Sequence, residues 1–434
     1  MRNRLVYEGA SQLEYEIRQI VRKAEQIAAL GIPITWENIG DPIQKHNTIP
    51  GWIKEIVSGL VMEDSSYGYC HSKGVPATRE FLAKRNNALG GVQITAEDIL
   101  FFNGLGDAIS KLYQYLPPTS RIIGPSPAYS THSSAEAAHA NSAPLTYLLD
   151  PENSWYPDLE DLYNKVKFNP NISGILIINP DNPTGMIYPH EYLERIVSIA
   201  REFDLLLIAD EIYSAITASG NQTELLSRIV GDRPAISMKG ISKELPWPGS
   251  RCGWMEFYNR KKDPQFDGFC TALENAKMVE VCSTTLPQKA IPAIFTDSRY
   301  EDYLCTKNQA IASRGEILSN LFSNMPQIYF SPTRGAFYNT IIFNPAFLNG
   351  KQRLDVQNAA ARELVESWVN PEMPPDRRFV YYLLAATGIC VVPLSSFQSD
   401  LSGFRMTLLE QDEETFTTTF TRIREAIIEF TSEG

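Results

Sequence analysis

The sequence predicts an α/β protein: a large domain with a mostly parallel seven-stranded sheet between helices, and a smaller α+β domain formed by the N- and C-terminal parts. Three observations lead there. From about residue 95, short apolar runs (99–102, 121–124, 144–149, 174–179 and 205–210) alternate with helical stretches, and such alternation builds a parallel sheet covered on both faces. The runs 236–240 and 253–258 continue the pattern and bring the strands to seven. The last third then changes character, with strand-like runs at 327–331, 336–343, 388–392 and 403–409 among helices near 354–367, 376–385 and 412–431. The expected division is 45–310 for the large domain, and 1–44 with 311–434 for the small one.

Taken in order, residues 11–30 put Leu13, Ile17, Ile20, Ala24 and Ile27 on one face at a spacing of three to four, with Gly31 as the stop and Pro33 beyond it. This predicts an amphipathic N-terminal helix. Long helical stretches fill 264–324, between the last strand of the large sheet and the first of the small one. No repeat, low-complexity tract or Gly/Ser linker interrupts the chain.

With 434 residues, 43% of them apolar, there is material for two packed domains. A net charge of −12 offers no footprint for nucleic acid or an anionic membrane surface. The six cysteines, Cys70, Cys252, Cys270, Cys282, Cys305 and Cys390, stand singly and read as reduced thiols, and with no apolar run long enough to span a bilayer the expected location is the cytoplasm. The five histidines form no H-E-x-x-H or His/Cys cluster, so no protein-ligated metal is expected.

Several segments carry chemistry. Lys243 stands in a stretch otherwise free of basic residues, and Arg251 follows eight positions later among Pro and Gly. Lysine suits imine formation because desolvation lowers its pKa, and the arginine fork suits a phosphate. Asp210 ends the apolar strand 205–210, at the edge where open α/β sheets bind ligands, with Tyr213 three residues on. The segment Asn179-Pro180-Asp181-Asn182-Pro183-Thr184-Gly185 is a rigid turn, compatible with a cis peptide, that would hold Asn182 toward a ligand. Gly104-Leu105-Gly106 opens a helix after the strand 99–102, a context in which backbone N–H groups cradle a phosphate. It is no dinucleotide fingerprint, since Ile109 stands where the third glycine belongs. Each of these segments alone is also what an ordinary turn or surface loop looks like.

Together, Asn-Pro-Thr-Gly, Asp-x-x-Tyr, Ser-Lys and the arginine eight residues past the lysine resemble the pyridoxal-phosphate enzymes of the aspartate aminotransferase fold (fold type I), the class I/II aminotransferases. The resemblance runs from Gly40-Asp41-Pro42 to Arg405. It implies pyridoxal 5'-phosphate as cofactor, a Schiff base on Lys243, and Asp210 paired with the pyridinium nitrogen. It further implies that Tyr213 and Asn182 bind the phenolic oxygen, and that Arg251, Ser242 and the turn Gly104-Leu105-Gly106 hold the phosphate. Tyr129, in Pro127-Ala128-Tyr129-Ser130-Thr131-His132, would stack on the ring, with His132 backing Asp210. Tyr69 looks like the tyrosine donated to a neighbouring subunit's phosphate, which implies a homodimer with shared sites. Arg405, in Gly403-Phe404-Arg405-Met406-Thr407, would bind the substrate α-carboxylate in two prongs, with Gly40 and Asn182 as further substrate contacts.

Three departures bear on the reaction. Gly240 stands where serine is frequent, removing one phosphate contact, and Leu394 replaces the usual glycine in the segment running to Gln398 and Asp400. No arginine lies near 275–290 to clamp a second carboxylate, Lys277 being the nearby cation, which argues against a strict aspartate or glutamate specialist. The expected activity is transfer of an amino group between an amino acid and a 2-oxo acid. A β-lyase or synthase of the same fold is the alternative, because the same residues serve both. A DNA-binding regulator would need a basic helix-turn-helix segment, and the first 40 residues hold none.

Overall fold

Strands form where apolar runs are short and continuous, and the computed structural model, which describes residues 5–13, 17–218 and 220–432 without the side chains of 17 and 18, contains fourteen of them among those residues. They are β1 (Thr35–Trp36), β2 (Ile99–Phe102), β3 (Arg121–Ser126), β4 (Thr146–Asp150), β5 (Tyr156–Pro157), β6 (Ile172–Ile178), β7 (Leu206–Asp210), β8 (Ala235–Gly240), β9 (Gly253–Tyr258), β10 (Ile328–Phe330), β11 (Tyr338–Phe343), β12 (Ile389–Cys390), β13 (Val392–Pro393) and β14 (Gly403–Thr407). The large sheet has the order β2-β9-β8-β7-β6-β3-β4-β5. β8, β7, β6, β3 and β4 pair in parallel, whereas β9 is antiparallel to both its neighbours. The seven expected strands are all present, and the two-residue β5 adds an antiparallel eighth at the edge.

Side chains alternate along a strand, so each central strand feeds two cores. Ile99, Phe101, Ile175, Ile177, Leu207 and Ala209 enter one cluster, with helices such as His190–Glu202 and Thr285–Thr296 packed on it. Leu100, Phe102, Leu176, Ile178, Ile208 and Met238 enter the other, beneath helices Leu105–Gln114 and Pro264–Val279. A third cluster joins helix Pro375–Thr387 and helix Glu413–Ser432 to the antiparallel sheet β10-β11-β14-β13. The N-terminal part is tied in by the parallel pair β1–β12 and by Ile20, Ala24 and Ile27, which are buried in that third cluster.

The N-terminal helix does not reach Leu13, which follows a 3-10 turn at Glu8–Gln12 and is 63% exposed; the described part of the helix is Ile17–Ala28. Residues 14–16 and the Ile17 side chain lie outside the described residues. Gly31, with φ +83°, follows the helix end as expected.

The parallel strands all end on one edge of the sheet, and β9, running the other way, starts there. Gly253 pairs with both Phe102 and Gly240, Ile178 with Asp210, and Asp210 with Met238. The segments following β2, β3, β6, β7 and β8, and the one preceding β9, therefore converge, as expected for a ligand site of an open α/β sheet.

Candidate functional site

At that edge lies a cavity of about 470 Å³, closed on the far side by residues of the 38–44 segment, by Tyr338 of β11 and by Arg405 of β14. Lys243, three residues past β8, reaches into it, and its Nζ donates to the Gly40 carbonyl at 2.8 Å. Burial lowers its pKa to about 8; Arg405 and Arg251 reinforce the shift, and Asp41 and Asp210 oppose it. At mildly alkaline pH much of it is a free amine, the nucleophilic form.

Asp210 is buried at the end of β7. One carboxylate oxygen accepts from the Ile212 backbone N–H at 3.1 Å, and the other is 3.0 Å from His132 Nε2, itself buried. His132, which is not among the residues lining the cavity, thus backs Asp210. Tyr213 lies 3.0 Å, hydroxyl to hydroxyl, from Tyr338, and burial, with the neighbouring Tyr338, raises its pKa well above the usual value. The Tyr213 hydroxyl therefore stays protonated. Tyr129, beginning helix Ser130–Ala140, lines the same cavity.

Asn182 is held by the predicted turn, in which the Asn179–Pro180 bond is cis. Asp181 accepts from Thr184 through its N–H at 3.0 Å and its hydroxyl at 2.6 Å, and burial raises that carboxyl to about 7. Asn182 Oδ1 accepts from Arg405 Nη1 at 3.2 Å, and Arg405 Nη2 donates to Asn38 O at 2.5 Å. The guanidinium lies 4.6 Å from the Tyr338 ring centroid and 5.0 Å from that of Phe397, while its buried Nε–H has no partner among the described residues. An arginine so placed retains donor capacity for an incoming carboxylate.

The opposite end of the cavity suits an anion. Helix Leu105–Gln114 starts here, with Leu105 and Gly106 in the lining and first-turn N–H groups that a helix leaves without intrahelical partners. Arg251 and Ser242 line the same space, and Arg251 Nη2 donates to Asn103 O at 3.3 Å. Gly104 has φ +82° and ψ 166°, and a Cβ there would lie 2.7 Å from Arg251 Nη2. Gly104→Ala is expected to cost about 1–3 kcal/mol of stability and to weaken binding of a phosphate-bearing ligand about tenfold, because it combines glycine-only backbone with a displaced guanidinium. Thermal unfolding and cofactor titration check it; native values for both would show that the cradle tolerates a side chain.

The structure thus brings Gly40, Leu105, Gly106, Tyr129, Asn182, Asp210, Tyr213, Ser242, Lys243, Arg251 and Arg405 around one cavity, with Gly104 and His132 directly behind it. Tyr69 is apart: it is 85% exposed and lines a separate cavity of about 670 Å³ with Asn103, Trp247 and Ser250. Gly240 has no room for a serine, since an added Cβ would lie 2.9 Å from Cys252 O and 3.0 Å from Ile212 Cδ1. Leu394 is fully buried core, and Lys277, also buried, is engaged by Asp107 at 3.2 Å and by Glu280.

Tyr338 and Asn38 were not anticipated. Tyr338 occupies the space that Gly40 leaves, since a Cβ on Gly40 would meet its hydroxyl at 2.1 Å. Its signal, a tyrosine in a buried strand, looks like any core residue, and only the fold brings it to Tyr213.

The chain is similar to known proteins over nearly its whole length. The family described as aminotransferase class I and II matches residues 37–423. An uncharacterized aminotransferase of Methanocaldococcus jannaschii is 51% identical over 430 residues, 99% of each chain. The glutamate-pyruvate aminotransferase AlaA of Escherichia coli is 30% identical over 336 residues, 76% of this chain and 81% of its own. Among solved structures, the alanine aminotransferase of Pyrococcus furiosus has a TM-score of 0.84 at 26% identity, covering 98% of this chain and 100% of its own.

Proposed function

This chain belongs to the class I and II aminotransferases, pyridoxal 5'-phosphate enzymes that move an amino group between an amino acid and a 2-oxo acid, and we propose that here the transfer runs at Lys243 with alanine and glutamate as the amino acids. One observation carries the assignment of the site: a lysine amine of lowered pKa shares a cavity with a buried carboxylate, an arginine at a helix N-terminus and a second arginine held by an asparagine.

The residues fit the cofactor. The Gly104 cradle, with Arg251, Ser242 and the N–H groups of Leu105 and Gly106, suits its phosphate. Asp210 suits its ring nitrogen, Tyr213 and Asn182 its phenolic oxygen, and Tyr129 the face of its ring. Bound pyridoxal phosphate supplies a carbonyl that accepts an amine and a ring that takes up the electron pair released at the substrate's Cα. Lys243 Nζ would hold that carbonyl carbon, and its amine, kept by burial at a lowered pKa, would take the proton from the substrate's Cα and return it as general base and acid. Arg405, steadied by Asn182 and Asn38, orients the substrate through its α-carboxylate.

The substrate pair rests on the relatives, a glutamate-pyruvate and an alanine aminotransferase. The apolar Val21, Ile39 and Ile212 in the cavity wall support a small side chain, and no third arginine is among the lining residues. The lyase alternative finds no support, as the relatives are named aminotransferases. The reading includes a homodimer, supported by the exposed Tyr69, which is free to serve a second copy's phosphate site. It also includes the division at 45 and 310, which the apolar clusters follow except where Tyr213, Ile216 and Ala218 join the third cluster and Ile342, Val392, Leu394 and Phe397 join the first, and the cytoplasm, supported by six free cysteines. Among the described residues no helix is long and apolar enough to cross a membrane.

The test is a single-turnover experiment. Mixed with alanine and no oxo acid, the cofactor-loaded protein is expected to release about one equivalent of pyruvate per chain without ammonia, and likewise 2-oxoglutarate from glutamate. Faster release from other amino acids would overturn the substrate pair, and repeated turnover yielding ammonia would overturn the transfer itself.

A further inference from the structure

Helix Tyr300–Phe322 spans two cores: Tyr300 packs in a cluster on the large sheet, and Ile311, Leu318 and Phe322 pack in the cluster of the antiparallel sheet. On the way it passes behind the turn that carries Lys243. Lys307 donates its amine N–H groups to the main-chain carbonyl of Lys243 and, at 3.0 Å, to that of Glu244. One helical turn earlier, on the same face, Tyr303 donates its hydroxyl to the Glu244 carbonyl at 2.9 Å. Asn308 donates to Ala215 O at 3.0 Å, two residues past Tyr213. The two carbonyls held by Lys307 lie beyond the last pair of the β8–β9 ladder, Gly240 with Gly253, where the sheet no longer holds the chain.

We propose that Lys307 is a positioning residue for Lys243: by fastening the carbonyls of Lys243 and Glu244 to the helix shared by both cores, it fixes where the reacting amine stands in the cavity. The inference rests on Lys243 being that amine. Backbone at a strand end that must present a side chain to within a fraction of an ångström needs such support from a rigid element. Burial, opposed by Glu244 and aided by Lys243, lowers Lys307 to about 7, so near neutral pH it provides N–H donors without a full second charge beside Lys243. The charged groups facing the pair are Glu244 beside Lys307, and Asp41, Asp210, Arg251 and Arg405 around Lys243; Glu244 in turn faces Arg85, Glu301 and Lys239.

The experiment uses the full chain freed of cofactor. Capture of pyridoxal phosphate is followed by absorbance, and the product is reduced with borohydride and mapped by mass spectrometry. The pyridoxyl group is expected on Lys243; a label elsewhere overturns the Lys243 assignment and this inference with it. With Lys243 labelled in the native protein, Lys307→Met is expected to slow capture about tenfold, the scale of a sub-ångström to 1 Å displacement of a reacting group. The Tm of the cofactor-free protein should stay within about 3 °C of native. Lys307→Arg, which keeps N–H donors on a side chain of similar reach though with a permanent charge, should recover most of the lost capture, to within about threefold of native. Capture by Lys307→Met within twofold of native overturns the inference, and so does a loss that only tracks unfolding or that Lys307→Arg fails to restore. Should Lys307→Met not fold, Lys307→Gln, whose amide falls one bond short of the carbonyls, is read the same way.

Discussion

Lys243→Ala is expected to lower kcat/KM for amino-group transfer by about 10⁴-fold or more, because one side chain serves as both covalent anchor and proton carrier. Lys243 is the one lysine among the residues lining the cavity, and Lys307 touches the same turn only from behind, through main-chain carbonyls. No neighbour can therefore deliver an amine to the same point. The fold should be little affected. The side-chain amine donates to Gly40 O, and the substitution also removes a buried amine whose charged form is disfavoured there. Steady-state kinetics with alanine and glutamate, together with borohydride labelling, check the expectation; residual activity above about 1% of native would mean that the proton travels by another group.

Asp210→Asn should lower kcat by about 10²–10³-fold with KM within a few fold, the pattern of a charge that matters most in the transition state. The substitution is isosteric, and the amide oxygen can still accept from the Ile212 N–H. What it loses is the carboxylate charge, and its NH₂ group would oppose the N–H that His132 Nε2 now directs at Asp210. The ring must then change tautomer, although its Nδ1 is buried with no partner among the described residues. Kinetics and the absorbance of the bound cofactor against pH test this; an unchanged kcat would remove Asp210 from the reaction.

Much of this was legible in the chain itself. The large sheet announces itself because strands buried on both faces read as short apolar runs, and its ligand edge follows from where those runs stop. Asp210, Lys243, Asn182 and the Gly104 turn were found that way: each stands within a few residues of a strand end, so local spacing carries its position, while its role is what the resemblance of the combined motifs implies. Even Arg405 stood out, as a lone cation in an apolar strand.

Other features depend on contacts between segments far apart in sequence, and no local pattern encodes them. Tyr338 reads as core until β11 sets it against Tyr213 and into the space beside Gly40. Arg405 meets Asn182 across 223 residues. Lys277 stood as the nearby cation for a second carboxylate until packing gave it to Asp107 and Glu280, and Gly240 reads as a lost phosphate contact until Cys252 O is seen to fill the place of a side chain. Leu13 differs for the same reason. Periodicity places it on the helix face of Ile20, Ala24 and Ile27, but those three are buried in the third cluster whereas Leu13 is 63% exposed, and helices in proteins persist where tertiary packing rewards them.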